Sequence, residues 1–255
     1  MWTSIAITGA SSGLGAAIAR AAARPGVVLH LAGRDATRLA AVARDCAAAE
    51  VRVTVLDVTD AAACAAWVAG MGRCDLMIAN AGISAGSGGG VESAEQVRAI
   101  FATNVDGVLN VALPAIAAMR DQAPGPDGVR GRVAVTGSLA SFVAAPGAAS
   151  YCASKAAVQR WAEATDASER KFGVRLSSIC PGYVRTPMTE KNAFPMPWLM
   201  TPDEAAKRTL AGLAAGRLRV VYPRRLYFLA RMVGALPPGW RNAILGRAPA
   251  KGKAG

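Results

Sequence analysis

The sequence has few residues that could bind a metal and no cysteine spacing typical of a zinc site. It has one histidine, His30, and its five cysteines include no C-x-x-C pair. A zinc site needs several Cys or His ligands at close spacing, and a disulfide framework normally has an even number of cysteines. We therefore expect no metal, and we expect reduced, mostly buried thiols as in a cytoplasmic protein.

Charged residues are also few. They make up 18% of the chain, whereas hydrophobic residues make up 53%. This composition excludes a disordered chain and is typical of elements that are buried on both faces. The sequence has neither a basic leader with a small-residue cleavage site nor an uninterrupted apolar run of about 18 residues. We therefore predict no secretory signal and no membrane-spanning segment.

Acidic residues are absent from the C-terminal fifth of the chain. Residues 205–255 contain eleven Lys or Arg and no Asp or Glu, whereas the net charge of the whole chain is +12. The rest of the chain is therefore close to neutral, and the positive charge belongs to this C-terminal segment.

Short apolar strands alternate with alanine-rich helices. The strands are predicted at 3–8, 27–32, 51–56, 75–79, 132–136, 174–180 and 218–222. The helices are predicted at 13–24, 36–48, 61–71, 94–120 (in one or two pieces), 149–171 and 203–214. This alternation is typical of a parallel sheet covered by helices. We predict an α/β fold, a doubly wound parallel sheet of about seven strands within one domain at 1–222, followed by a basic, apolar extension at 223–255.

A glycine-rich turn joins the first strand to the first helix. Residues 8–15 read TGASSGLG, so the spacing is G-x-x-x-G-x-G and not the general G-x-G-x-x-G pattern. Small residues allow the backbone to approach a pyrophosphate, and the amides of the helix N-terminus favour its negative charge. The turn is weak evidence by itself, but its place after the first strand favours a dinucleotide site.

This turn resembles the cofactor signature of the classical short-chain dehydrogenases/reductases, a single-domain Rossmann family. Further matches follow in the order of that family and span about residues 3–190. They are Asp57-Val58, Asn80-Ala81-Gly82, Asn104, Ser138, Tyr151 with Lys155, and PGYVRT at 181–186.

The spacing of Tyr151 and Lys155 places them on one helix face. A lysine ammonium there is expected to lower the pKa of the tyrosine, although the same pattern fits a solvated surface pair. The resemblance assigns proton exchange to Tyr151, ribose binding to Lys155, the substrate hydrogen bond to Ser138 and a relay water to Asn104. Ser141 is a competing serine whose spacing fits less well.

The resemblance also implies a nicotinamide cofactor. The expected cofactor-binding residues are Gly9, Ser11, Ser12, Gly13, Leu14, Gly15, Arg34, Asp57, Val58, Asn80, Ala81, Gly82, Tyr151, Lys155, Pro181, Gly182, Val184 and Thr186.

The end of the second strand favours NADP(H) over NAD(H). An acidic residue there binds the 2′-hydroxyl of NAD, whereas a nearby Arg accommodates the 2′-phosphate of NADP. This sequence has Gly33 at the acidic position and Arg34 after it. Two points favour the alternative: Arg34 could simply precede a helix capped by Asp35, and Ser12 stands where many NADP enzymes have a basic residue.

The segment 187–200 matches the substrate loop of the family. Its apolar residues Phe194, Met196 and Trp198 are predicted to bind substrate together with Ser138 and Tyr151. An alternative is that they pack against the C-terminal helices or another subunit. The glycine-rich loop at 82–90 is expected to lie over the carboxyl edge of the sheet, and its residues 86–90 are expected to form a mobile opposite wall.

We therefore predict an NADP(H)-dependent oxidoreductase that interconverts a carbonyl and an alcohol and acts as a reductase of an apolar ketone or aldehyde. Tyr151 is its general acid/base. Two alternatives stay open: a catalytically silent NAD(P)-binding regulator and an NAD-preferring alcohol dehydrogenase.

The resemblance implies a homodimer or homotetramer. The segment 224–240 mixes arginines with large apolar residues, which suits a membrane-surface helix at the inner face of the membrane or, alternatively, subunit packing. We expect no nucleic-acid partner, because no RNA- or DNA-binding motif surrounds the aromatic residues of this segment.

Overall fold

The computed structural model describes residues 2–87, 90–190, 192 and 194–246. Within them, seven parallel strands form one sheet in the order β3-β2-β1-β4-β5-β6-β7. The strands are β1 (Ser4–Thr8), β2 (Val28–Gly33), β3 (Glu50–Val55), β4 (Leu76–Ala79), β5 (Gly131–Thr136), β6 (Val174–Pro181) and β7 (Arg219–Tyr222).

Helices cover both faces of the sheet. They are α1 (Gly13–Ala22), α2 (Ala36–Asp45), α3 (Ala61–Ala69), α4 (Ala94–Phe101), α5 (Gly107–Asp121), α6 (Ala149–Glu169), α7 (Pro187–Glu190), α8 (Pro202–Ala214), α9 (Arg224–Gly234) and α10 (Pro238–Leu245). Helices α1, α2 and α8 contribute to the core on one face, and α3, α5 and α6 contribute to the core on the other. In agreement with this two-sided burial, β1 and β4 are buried at every position and are apolar except at Ser4 and Thr8.

Four helices begin at side-chain caps that their sequences provide. Asp35, Asp60, Ser93 and Thr201 each accept a hydrogen bond from the backbone amide three residues further on. Such caps satisfy amides that have no partner inside the helix. The caps at Ser93 and Thr201 start helices close to the positions that the sequence predicts.

The strand order reverses between β1 and β4, because β2 and β3 lie on one side and β5 to β7 on the other. At such a switch point, the loops after the strands diverge and leave a crevice at the carboxyl edge of the sheet. The glycine-rich turn follows β1, and Asn80 follows β4. The fold therefore brings the predicted cofactor motifs to one crevice.

The predicted fold class is confirmed, and every predicted strand is present. The predicted helix at 94–120 consists of α4 and α5, which are separated by a π-helical turn at Ala102–Asp106. The extension at 223–255 contains α9 and α10, while its residues 247–255 lie outside the described part of the chain. Residues 88 and 89 of the glycine-rich loop and residues 191 and 193 of the substrate loop also lie outside it.

One helical stretch in the described residues, Ala94–Asp121, is long and apolar enough to cross a membrane by length and composition. Its residues Val111, Ala112 and Ala115 are buried in the core beside the sheet. The apolarity of this stretch is therefore explained by its packing inside the fold.

Candidate active site

The glycine-rich turn leaves an open backbone surface at the start of α1. Gly9 and Gly13 have φ of 65° and 57°, a left-handed conformation that glycine adopts without strain. A methyl group at Gly15 would lie 2.3 Å from the carbonyl oxygen of Gly9, so only glycine allows this close approach. The amides of α1 together with this small-residue turn fit a pyrophosphate.

A continuous cleft runs from this turn to Tyr151. Most of the predicted cofactor residues line it, and so does the predicted catalytic serine. These residues are Gly9, Ser11, Ser12, Gly13, Leu14, Arg34, Asp57, Val58, Asn80, Ala81, Gly82, Ser138, Tyr151, Lys155, Pro181, Gly182, Val184 and Thr186. Of the predicted residues, Gly15 lies behind the turn, where its missing side chain leaves room for Gly9 and Asn80.

Several lining residues were not predicted from the sequence. They are Arg38, Leu56, Ile83, Thr103, Thr136, Gly137, Pro187, Met188 and Thr189, besides Gly33 and Asp35. Most of them directly follow or precede a predicted motif. Arg38 is the exception, because it lies in the first turn of α2, where it pairs with the cap Asp35.

Arg34 lies at the end of the cleft that β2 and β3 form. Its guanidinium is 3.9 Å from the Asp57 carboxylate, and its side chain is 69% exposed. Gly33 faces the Ser11 hydroxyl and brings no carboxylate to this end of the cleft. The Asp35 carboxylate caps the N-terminus of α2 and forms an ion pair with Arg38. The exposed Arg34 is therefore available to an anionic group bound here.

Asn80 holds the two central strands together at the crevice. Its backbone amide donates to the Thr8 hydroxyl at 3.0 Å, and its side-chain amide donates to the Thr8 carbonyl at 3.1 Å. Thr136 of β5 in turn donates to the Asn80 side-chain oxygen at 3.3 Å. Asn80 therefore fixes the floor of the cleft.

Tyr151 and Ser138 meet at the opposite end of the cleft. Ser138 follows β5, Tyr151 lies in the first turn of α6, and their side chains are hydrogen-bonded to each other. Ser141, the competing serine, accepts a hydrogen bond from the Ser138 backbone amide at 3.3 Å. The structure thus places Ser138 against Tyr151, whereas the Ser141 hydroxyl is bonded to the backbone of Ser138.

The Lys155 ammonium is buried beside this pair. It donates to the Thr136 carbonyl oxygen at 2.8 Å and lies 6.0 Å from the centre of the Tyr151 ring. Burial lowers the pKa of Lys155 to about 8. Burial raises the pKa of Tyr151, and the hydrogen bond with Ser138 opposes this rise only in part. The expected lowering of the Tyr151 pKa is therefore wrong for the free protein, because the phenol is buried and the Lys155 ammonium is bonded to Thr136.

Asn104 lies behind the cleft in the π-helical turn and is fully buried. Its side-chain oxygen accepts from the Ile83 amide at 2.8 Å, and its side-chain nitrogen donates to the Ile83 carbonyl at 3.0 Å and to Ser154 at 3.1 Å. A methyl group at Gly82 would lie 3.1 Å from both Asn104 Oδ1 and Lys155 Nζ. Such π turns occur frequently at functional sites.

Phe194, Met196 and Trp198 do not line this cleft. Phe194 packs edge-on against Tyr183 with 6.1 Å between ring centres, and Met196 accepts from the Asn192 side chain at 3.5 Å. Trp198 is 46% exposed. The structure therefore brings Ser138 and Tyr151 together but leaves these three predicted substrate residues outside the cleft, and their substrate role stays a prediction.

Comparison with known proteins places this arrangement in a family. A family model for short chain dehydrogenases matches residues 3–195. A protein of Myxococcus xanthus (strain DK1622) named "Uncharacterized oxidoreductase" is 36% identical over 245 residues, which cover 91% of each chain.

Two solved structures cover nearly the whole chain. A short-chain dehydrogenase from Sphingobium yanoikuyae in complex with NADPH has 25% identity and a TM-score of 0.78, and the match covers 98% of both chains. A short chain dehydrogenase/reductase from Burkholderia phymatum in complex with NAD has 24% identity and a TM-score of 0.79, covering 99% of this chain and 98% of the other. The second likeness shows the fold alone.

The glycine-rich turn, the crevice at the strand switch and the Ser138–Tyr151–Lys155 group agree with this match over three quarters of the chain. The chain therefore belongs to the short chain dehydrogenase family, and it is a nicotinamide-dependent oxidoreductase.

Proposed function

We propose that this protein is an NADP(H)-dependent oxidoreductase that reduces an apolar ketone or aldehyde to the alcohol and also catalyses the reverse reaction. The observation that carries the proposal is the hydrogen bond between Tyr151 and Ser138 at one end of a cleft whose other end holds Arg34. The end with Tyr151 and Ser138 fits a reacting carbonyl group, and the end with Arg34 fits the 2′-phosphate of NADP(H).

Tyr151 is proposed as the proton donor to the carbonyl oxygen. The raised pKa of Tyr151 keeps its phenol protonated at neutral pH, which is the form that a reductase needs. In the reverse direction the same oxygen has to accept a proton from the alcohol. Tyr151 is therefore proposed as the general acid in reduction and as the general base in oxidation.

Ser138 is proposed to orient the substrate. A hydroxyl that already touches the Tyr151 phenol can donate to the same carbonyl oxygen and stabilise the negative charge that develops on it. The backbone amide of Ala140 donates to the Ser138 side chain at 3.1 Å. This contact holds Ser138 in place while its hydroxyl remains able to donate.

The nicotinamide, when bound, supplies the hydride or accepts it. Lys155 is placed to bind the adjoining ribose, since its ammonium retains donors beyond the one that reaches Thr136. Val184 and Thr186 line the neighbouring part of the cleft and are proposed to hold the carboxamide.

Arg34 is proposed to select NADP(H). A guanidinium pairs with a phosphate by charge-assisted hydrogen bonds, and its 3.9 Å contact with Asp57 is too long to occupy it fully. The NADPH complex of the Sphingobium yanoikuyae relative supports this choice. The NAD complex of the Burkholderia phymatum structure is the reason to test NAD(H) alongside it.

The substrate is proposed to be apolar because large apolar side chains follow the cleft on its β6 side. Tyr183 precedes Val184 and packs against Phe194, and Met188 lines the cleft. Phe194, Met196 and Trp198 remain our candidates for contact with the distal part of the substrate. This contact requires residues 194–200 to move toward the cleft.

The test is oxidation of NADPH and of NADH by the purified protein over a panel of apolar ketones and aldehydes. We expect turnover with NADPH, and we expect Arg34→Ala to weaken NADPH binding at least about tenfold while NADH binding is unchanged. Faster turnover with NADH than with NADPH would favour the NAD-preferring dehydrogenase, and cofactor binding without turnover would favour the regulator.

The assembly and its location belong to the same proposal. Phe101 and Leu113 on α4 and α5 are 37% and 53% exposed, which supports a homodimer or homotetramer packed through these helices. The described cysteines are all free and buried, which supports a reducing compartment such as the cytoplasm. Light scattering at several protein concentrations measures the number of subunits.

A further inference from the structure

The outer surface of α9 and α10 is apolar. Five large side chains on it are 43–71% exposed, namely Phe228, Leu229, Met232, Trp240 and Ile244. We call these five residues the outer C-terminal face. An exposed apolar patch of this kind, rimmed by charged residues, marks an interaction site.

The arginines of α9 flank this face. Phe228 and Met232 are one turn apart, and Arg225 precedes Phe228 by three positions, so these residues share one side of the helix. Arg224 and Arg231 are seven positions apart and therefore lie along one flank of that side. Long arginine side chains can hold their charges at the edge of an apolar surface while their stems cover it.

The charge around this face is not neutralised within the protein. Arg224 and Arg225 are exposed and form no ion pair with any described residue. Residues 205–255 contain no Asp or Glu at all. The face is therefore apolar at its centre, and the segment that carries it contributes cations but no anions to its edge.

The opposite side of α9 is fixed to the rest of the fold. Tyr227 packs edge-on against Phe142 with 5.1 Å between ring centres, and its hydroxyl accepts from Arg219 at 3.0 Å. Arg219 is itself bonded to Glu163 on α6 at 2.7 Å. These contacts hold α9 in a defined orientation, so its apolar outer side cannot turn inward to be buried.

We infer that the outer C-terminal face docks onto the surface of an anionic membrane. Helices that lie in a membrane interface combine Trp, Phe and Leu on one side with Lys and Arg at its borders, and anionic headgroups attract those cations. A symmetric contact with a second copy is disfavoured, because it would bring cationic rims together with no acidic residue in this segment to pair with them.

This position would bring the substrate end of the cleft to the lipid surface. A methyl group at Gly182, which lines the cleft, would lie 3.0 Å from Leu226 on the inner side of α9. Access to a membrane-dissolved substrate rests on the proposed function, whereas docking itself does not.

The test is co-sedimentation of the full-length protein with vesicles of phosphatidylcholine and phosphatidylglycerol, compared with vesicles of phosphatidylcholine alone. We expect binding to the anionic vesicles only, with most of it lost when the salt concentration is raised to ~0.5 M. The triple variant Phe228→Ser, Met232→Ser, Trp240→Ser should bind these vesicles at least about tenfold more weakly.

Val55→Ser is the matched control, because Val55 on the edge strand β3 is an apolar side chain of comparable exposure, 60%. It should bind the anionic vesicles as the unsubstituted protein does. Thermal unfolding and NADPH binding check that both variants are folded. Absence of vesicle binding, or binding that the triple variant retains, would overturn the inference. A triple variant that forms smaller assemblies, with no vesicle binding by either protein, would assign the face to a second copy instead.

Discussion

The Lys155 ammonium donates to the Thr136 carbonyl oxygen at 2.8 Å, although its place one turn after Tyr151 suggests a direct role on the phenol. The side chain is almost completely buried, at 3% exposure, and no carboxylate pairs with it in the described residues. Fully buried lysines are rare unless they are paired. The buried charge of Lys155 therefore lowers the stability of the protein and is held at one fixed point of the cleft.

The first prediction concerns this charge and the stability of the free protein. Burial lowers the pKa of Lys155 to about 8, whereas the unfolded chain has the ordinary value of 10.5. Between these values the unfolded state binds more protons, so the lysine's contribution to stability rises with pH from about 8 to 10.5 and is constant below 8. Its full size is about 3 kcal/mol.

Urea unfolding of the protein and of Lys155→Met across this pH range measures the effect. The free energy of unfolding of the unsubstituted protein should approach that of Lys155→Met as the pH rises. Parallel pH curves for the two proteins would show that Lys155 keeps its ordinary pKa in the folded state.

The second prediction concerns the glycine-rich turn. A methyl group at Gly15 would lie 2.3 Å from the Gly9 carbonyl oxygen and 2.6 Å from the Asn80 side-chain nitrogen. Gly15→Ala should therefore displace the turn, lower the free energy of unfolding by about 1–3 kcal/mol and weaken cofactor binding. Gly239→Ala is the control, because a methyl group there meets no atom within 4 Å. Equal effects of the two substitutions in calorimetry would contradict the packing argument.

The third prediction separates positioning from general stability at Asn104. Asn104→Ala leaves the amide and carbonyl of Ile83 without their partner, which should cost about 1–3 kcal/mol of stability. Because Gly82 and Ile83 form the wall next to Lys155, kcat should also fall about tenfold or more. Asn110→Ala removes a comparable hydrogen bond, to the Val58 carbonyl at 2.9 Å. It should lose stability but keep kcat, and an equal loss of kcat in both variants would reduce Asn104 to a purely structural residue.

The sequence predicted the sheet and most of the cleft well, for physical reasons. The strands are apolar runs bounded by breakers, and the loops that follow them must meet at the carboxyl edge of a parallel sheet. Gly9, Ser138 and Tyr151 are therefore brought together by topology, and short motifs suffice to find them.

Two features could not be predicted because they depend on tertiary contacts. The direction of the Tyr151 pKa depends on how deeply the phenol is buried and on where the Lys155 ammonium points. The π turn around Asn104 depends on bonds to Ile83 and Ser154, which are 21 and 50 residues away in sequence. The spacing of residues along the chain predicts neither the direction of this pKa shift nor the π turn.

The segment around Trp198 shows a different limit. Its composition is apolar enough for a substrate site, but composition does not determine whether such residues face a cleft or pack on each other. In the structure Phe194 contacts Tyr183, and Trp198 is half-exposed. A loop with few fixed contacts has more than one way to bury its apolar side chains.

The measurement that tests the central claim most directly is the turnover of Tyr151→Phe with NADPH and the best carbonyl substrate. The substitution removes one hydroxyl and keeps the ring. We predict that kcat falls by about 10²–10⁴-fold, because the proton donor is lost, while NADPH binding measured by calorimetry stays within about twofold. Turnover near that of the unsubstituted protein would contradict the assignment of Tyr151 as the general acid.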